Sequence, residues 1–134
     1  MDLSNLDVVA FAEQGVTVEL KHPATGELLV NDKDEPMVIV VAGSDSKLFK
    51  SVIGARIKQN ALKKGKKDEI DLEEMEKRGA ETLAKCTLSW SGIQEGEKVL
   101  PFSVASAQSL YIKYPWIKEQ VDAACGDRSA LFKA

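Results

Sequence analysis

The stretch Met37–Lys50, MVIVVAGSDSKLFK, changes its period half-way along. Val38, Ile39, Val40 and Val41 form an unbroken β-branched run. That chemistry fits a pleated strand covered on both faces, the best-covered strand of a small sheet. Beyond Gly43 the apolar residues Leu48, Phe49, Val52, Ile53 and Ile57 recur at three- and four-residue intervals, the period of a helix. Ser44 or Ser46 is placed to cap its start. A strand that gives way to a helix at a glycine predicts a mixed fold, with a sheet before Gly43 and helices after it.

Working back from Met37, Val16, Val18 and Leu20 alternate with Thr17, Glu19 and Lys21, the pattern of a half-buried strand. Pro23–Glu27, PATGE, supplies a reversal, and Leu28–Val30 returns as a second strand. Asn31–Pro36, NDKDEP, reads as an exposed polar loop. Ser4–Gln14 reads as a short helix that Gly15 ends. The expected sheet is antiparallel and runs from about Val16 to Ala42.

Working forward, the helix after Gly43 is expected to end near Gly65. Gly54 inside it costs up to about 1 kcal/mol relative to Ala, which predicts a close packing contact there. A second helix is expected from Asp71 to near Trp90, with Leu72, Met75, Leu83 and Cys86 on one face. The stretch SGIQEGEKVLPF reads as a loop, and Ser103 caps a third helix bearing Val104, Ala107, Leu110, Tyr111 and Tyr114. Pro115 stops that helix and opens a fourth, whose inner stripe is Trp116, Ile117, Val121, Ala124 and Cys125. The fold class is therefore α+β: a small N-terminal antiparallel β-sheet followed by a bundle of about four helices. One domain is expected over residues 1–134, mainly β in 1–43 and helical in 44–134, with a charged hinge near 63–71.

A chain of 134 residues with 44% hydrophobic and 29% charged side chains can bury a core without staples. A net charge of −3 gives no bulk attraction to nucleic acid or anionic lipid. The first residues carry acids where a secretion signal needs cations, and no apolar run approaches the ~20 residues of a membrane helix. The expected location is cytoplasmic. Cys86 and Cys125 then stay reduced and behave as small buried hydrophobes.

Groups for chemistry are sparse. His22 stands alone before Pro23 and reads as a turn residue. There is no metal-ligand spacing, phosphate-cradling glycine loop or nucleophile elbow. No catalytic residue, metal or cofactor is expected. Lys63, Lys64, Lys66 and Lys67 precede Asp68, Glu69, Asp71, Glu73 and Glu74, an order that complements two helix dipoles across one turn. Half of the aromatic side chains in the chain are Tyr111, Tyr114, Trp116 and Phe132. With Ile117 they are the candidate docking face for a protein partner, because Trp and Tyr are enriched where proteins meet.

Three segments, VELKHPATGELL, MVIVVAGSDSKLFK and LYIKYPWIKEQVDAACGDRSALF, resemble in that order the tail assembly chaperones of long-tailed bacteriophages and prophages. The linking LSWSGI and GEKVLPFS fit the same pattern, although FSVASAQSLY departs from the acidic residue and Asn expected after the Ser. The resemblance implies a non-enzymatic role in tail morphogenesis: binding the tape-measure protein and helping tail-tube subunits polymerise around it. It implies a late protein of the host cell cytoplasm, absent from the mature virion, with the tape-measure protein and the major tail-tube protein as partners and self-association as a further option. It implies no nucleic acid and no membrane partner. Two alternatives stand beside it: a small nucleic-acid-binding regulator that uses the lysine block, and a structural tail component.

Overall fold

The computed structural model describes residues 2–62 and 72–127. Its first elements are a 3-10 turn at Leu3–Leu6 and helix α1 at Val8–Gln14. The expected single helix is split at Asp7, whose backbone leaves the helical region so that its carboxylate can accept from the Ala10 N–H at 3.2 Å. Strand β1, Val16–Glu19, pairs antiparallel with β2, Val38–Val41; β1 alternates buried and exposed residues as its sequence predicts, and β2, expected to be covered on both faces, buries Ile39 and Val41 and half-buries Val38 and Val40. Leu28–Val30 makes isolated bridges to Lys21 and Pro36 rather than a full strand.

The third strand was not foreseen. Helix α2 spans Lys47–Leu62, and α3, Leu72–Cys86, stops four residues short of the expected end near Trp90. Thr87–Ser91 is instead β3, antiparallel to β2, which makes the sheet order β1-β2-β3 and puts β2 in the centre. The register slips between Val40 and Val41, so β3 spends one extra residue, Leu88, at the bulge. Gln94–Glu95 (β4) and Lys98–Val99 (β5) form a small hairpin within the expected loop. Helices α4, Val104–Lys113, and α5, Pro115–Cys125, complete the described chain.

Local signals explain the helix starts. Ser46 Oγ accepts from the Phe49 N–H at 3.1 Å, and Ser103 and Ser106 close a reciprocal capping box. Gly54 meets no heavy atom within 4 Å of a built Cβ, so the expected packing contact is absent and the residue is tolerated on an exposed face. The C-terminus expected near Gly65, the lysine block and the hinge near 63–71 lie outside the described residues.

One core joins the sheet to the helices. Val16, Val18, Ile39 and Val41 meet Leu83 and Cys86 of α3, Leu110 and Tyr111 of α4, and Ile117 and Val121 of α5. Cys86 and Cys125 are buried free thiols on either side of Ala42: its N–H donates to the Cys86 carbonyl at 2.8 Å, and Cys125 Sγ–H donates to its carbonyl at 3.1 Å. Burial pushes the Cys86 thiol up to about 11 and the Cys125 thiol up to about 12. The native state thus holds protons that an unfolded chain releases from about pH 9. That contribution is present below pH 9 and is lost as pH rises toward 11–12. Two outcomes are expected: stability to urea falls progressively above pH 9, and a thiol-specific disulfide reagent at about pH 8 labels the native protein at least ~10-fold more slowly than the urea-unfolded chain.

Candidate partner-binding site

The site starts at Pro115. Proline suits the first turn of a helix but cannot continue the preceding one, so α4 ends and α5 begins on either side of a single shared residue, Tyr114. The Tyr114 N–H donates to the Leu110 carbonyl at 2.9 Å, and its own carbonyl accepts from the Ile117 N–H at 2.9 Å. The resulting elbow sets the Tyr114 and Trp116 rings edge to face, with centroids 6.2 Å apart at 69°.

Gln120 ties this elbow to the sheet. Its Oε1 accepts from the Lys21 N–H at 2.9 Å and its Nε2 donates to the Lys21 carbonyl at 2.8 Å, so one amide closes both backbone groups just past β1. The chain then turns at His22. The imidazole Nδ1 accepts from the Ala24 and Thr25 N–H groups at 3.0 and 3.3 Å, which leaves the ring proton on Nε2. On the opposite side, Asn31 holds the loop expected to be exposed, and is itself its buried residue. It is 5% exposed; its Oδ1 accepts from the Lys33 and Glu35 N–H groups and its Nδ2 donates to the Gly92 carbonyl. Gln94 fastens Asp32 from β4, accepting from its N–H at 2.8 Å and donating to its carboxylate at 2.6 Å.

Between these parts lies a cleft of about 320 Å³. Leu20, Leu29, Met37, Ile93, Leu110 and Ile117 give it an aliphatic lining, and Tyr114 and Trp116 add aromatic walls. Its charged groups answer one another. Tyr114 Oη–H donates to Glu95 Oε2 at 2.7 Å, and Lys113 Nζ reaches the same oxygen at 3.1 Å. The Tyr114 hydroxyl, and then Lys113, hold the Glu95 carboxyl below its ordinary range; Glu95 in turn raises both partners. The cleft therefore offers apolar surface with its nearby charges already neutralised. Such a cavity suits an uncharged aliphatic or aromatic group.

Of the candidate docking residues, Tyr114, Trp116 and Ile117 come together here. Tyr111 does not join them. It is 1% exposed, and its hydroxyl sits 2.7 Å from Thr87 Oγ1 in the core. Phe132 lies outside the described residues. Sequence reasoning missed Leu20, Met37, Ile93, Glu95 and Gln120, which reach the site from positions far apart in the chain. Among the described residues no three His, Cys, Asp or Glu side chains are grouped to hold a metal ion, and no helix is long and apolar enough to cross a membrane. Comparison with family models, with curated proteins and with solved structures returns no match.

Proposed function

We propose that this chain is a non-enzymatic tail assembly chaperone of a long-tailed bacteriophage, and that the elbow cleft receives apolar side chains of the tape-measure protein. The observation that carries the reading is the cleft itself: an open aliphatic and aromatic cavity whose charged neighbours are mutually paired. A client that presents leucine- or phenylalanine-like groups along a helix needs apolar receptors of this kind rather than reactive groups. Contacts that are weak singly become strong when many copies line one long client. The three-segment resemblance supplies the client's identity, and on the same ground the tube subunit is a second partner. The protein would then act in the host cytoplasm and be left out of the virion.

Co-expression with the tape-measure protein tests this. The wild-type chain keeps the client soluble and co-purifies with it. Trp116→Ala, at a half-buried wall of the cleft, weakens the complex at least ~10-fold, as an aromatic anchor should. The melting temperature of Trp116→Ala reports whether the fold is kept. Equal client solubility with and without the chaperone would falsify the proposal. Recovery of the chain from purified virions would favour a structural tail component instead.

A further inference from the structure

We propose that a second cavity, between α2, α3 and α5, is a binding site for a small organic anion: a monocarboxylate with a compact apolar body. It shares no lining residue with the elbow cleft, and the inference does not rest on the proposed function. α3 packs against both α2 and α5, and the three helices leave about 230 Å³ between them. Phe49 and Ile53 of α2, one turn apart, and Leu83 of α3 supply apolar lining. The polar lining is mainly cationic. Arg56 of α2 and Lys118 of α5 reach the cavity from helices far apart in the sequence, and both are half-buried. The one carboxylate in the lining, Asp122, is exposed and pairs with neither cation.

Both cations are positioned by contacts that leave their charge unanswered. α2 contains no Asp or Glu, and Glu74 and Glu81 of α3 are already paired with Arg78 and Lys85 of the same helix. Thr82 Oγ1 donates to the Arg78 carbonyl at 2.8 Å, so toward Arg56 Nη1, 3.5 Å away, it can only accept. That contact steadies the guanidinium and leaves its other N–H groups for a ligand. Lys118 is seated by a missing side chain. A Cβ at Gly79 would come 3.3 Å from its Cε and 3.4 Å from its Nζ, so the glycine lets the ammonium lie against α3. Glycine weakens a helix interior, and this seat gives Gly79 a role that offsets the weakness. Cations drawn part-way out of water without an acidic partner lose solvation, and charge-assisted hydrogen bonds to a carboxylate would replace it. The lining sets the ligand class. A bare inorganic anion would leave Phe49, Ile53 and Leu83 uncovered, and a neutral hydrocarbon would leave both cations unpaired. An acid at one end of an apolar body answers both. The cavity is smaller than the ~300–1,000 Å³ pockets of drug-sized ligands, which limits the body to a single ring or a short chain.

Sodium benzoate is the probe, titrated at low salt into the isotope-labelled whole chain with backbone amide NMR shifts as the readout. The expected result is saturable binding with a dissociation constant of about 0.1–1 mM, in the range of a fragment-sized ligand. The largest shifts fall at Ile53, Gly79 and Thr82, and not at Leu20 or Ile93 of the elbow cleft. Benzamide, which keeps the ring and lacks the charge, binds at least ~10-fold more weakly, and so does acetate, which keeps the charge and lacks the ring. Arg56→Gln and Lys118→Met each raise the dissociation constant for benzoate at least ~5-fold. Asp122→Asn removes the one negative group of the lining from an exposed position and lowers that constant, a test of the same field that leaves the packing of both cations alone. Thermal unfolding of each variant without benzoate reports whether the fold is kept. Titration without saturation overturns the proposal. So do benzamide binding as tight as benzoate, shifts centred on the elbow cleft, or an affinity indifferent to Arg56→Gln, Lys118→Met and Asp122→Asn alike.

Discussion

Tyr111→Ala lowers stability by about 3–5 kcal/mol, the range for removing a large aromatic ring from a close-packed interior. Tyr111 is the largest of the fully buried side chains, and its ring lies among residues of the sheet, α3 and α5. Ile39, Val41 and Val121 of the same core cluster are themselves fully buried. The hydroxyl adds a smaller, separable contribution. Thr87 Oγ1 donates to the Leu83 carbonyl at 2.9 Å, so the 2.7 Å contact with Tyr111 has the phenol as donor. Tyr111→Phe deletes that bond and keeps the ring, at a cost of about 0.5–1.5 kcal/mol. Because folded domains are stable by only about 5–15 kcal/mol, the alanine variant loses a large share of its margin. Urea titration of the three proteins checks the order. An alanine variant no weaker than the phenylalanine variant would mean that the ring does not close the core. The same phenol is raised to about 12, first by burial, so its absorbance change should be missing at the pH where a free tyrosine ionises.

Gly92→Ala is the second large effect, expected at roughly 2–5 kcal/mol from two causes acting together. Gly92 has φ +70°, where a side chain crowds its own backbone. A Cβ built there runs into the Pro36 carbonyl oxygen and comes 3.1 Å from its carbon, both backbone atoms that cannot swing aside. Gly96 separates the two causes. Its φ is +61°, yet nothing lies within 4 Å of the added carbon, so Gly96→Ala should cost only the backbone share, about 1–2 kcal/mol. Equal midpoints for the two variants in urea would show that the close approach of Pro36 carries no weight. The loss at Gly92 also reaches the cleft, since the Gly92 carbonyl accepts from Asn31, which shapes the loop held by Gln94.

Much of the architecture can be read from neighbouring residues. The alternation from Val16 to Glu19, the break at Gly43, the Ser103 cap and the Pro115 restart are local effects, and each stands where the pattern put it. β3 was missed because no glycine or proline separates Cys86 from Gly92, which let a helical period run on to Trp90. The β-branched Thr87 and the alternating Ser89 and Ser91 were the available signal, blurred by the bulged Leu88. The two tyrosines show where the site reading ran out. Tyr111 and Tyr114 are three residues apart on one helical face and look alike in sequence. The Tyr114 backbone leaves the helical region ahead of Pro115 and its hydroxyl finds Glu95, while Tyr111 stays within the helix and reaches Thr87. Both partners are tertiary, 19 and 24 residues away, and no local pattern encodes them.

The clasp of Gln120 on Lys21 spans 99 positions. During synthesis at ~5–20 residues per second, the first strand is made about 5–20 s before the amide that fastens it. Throughout that interval the nascent sheet has no α5 to cover it.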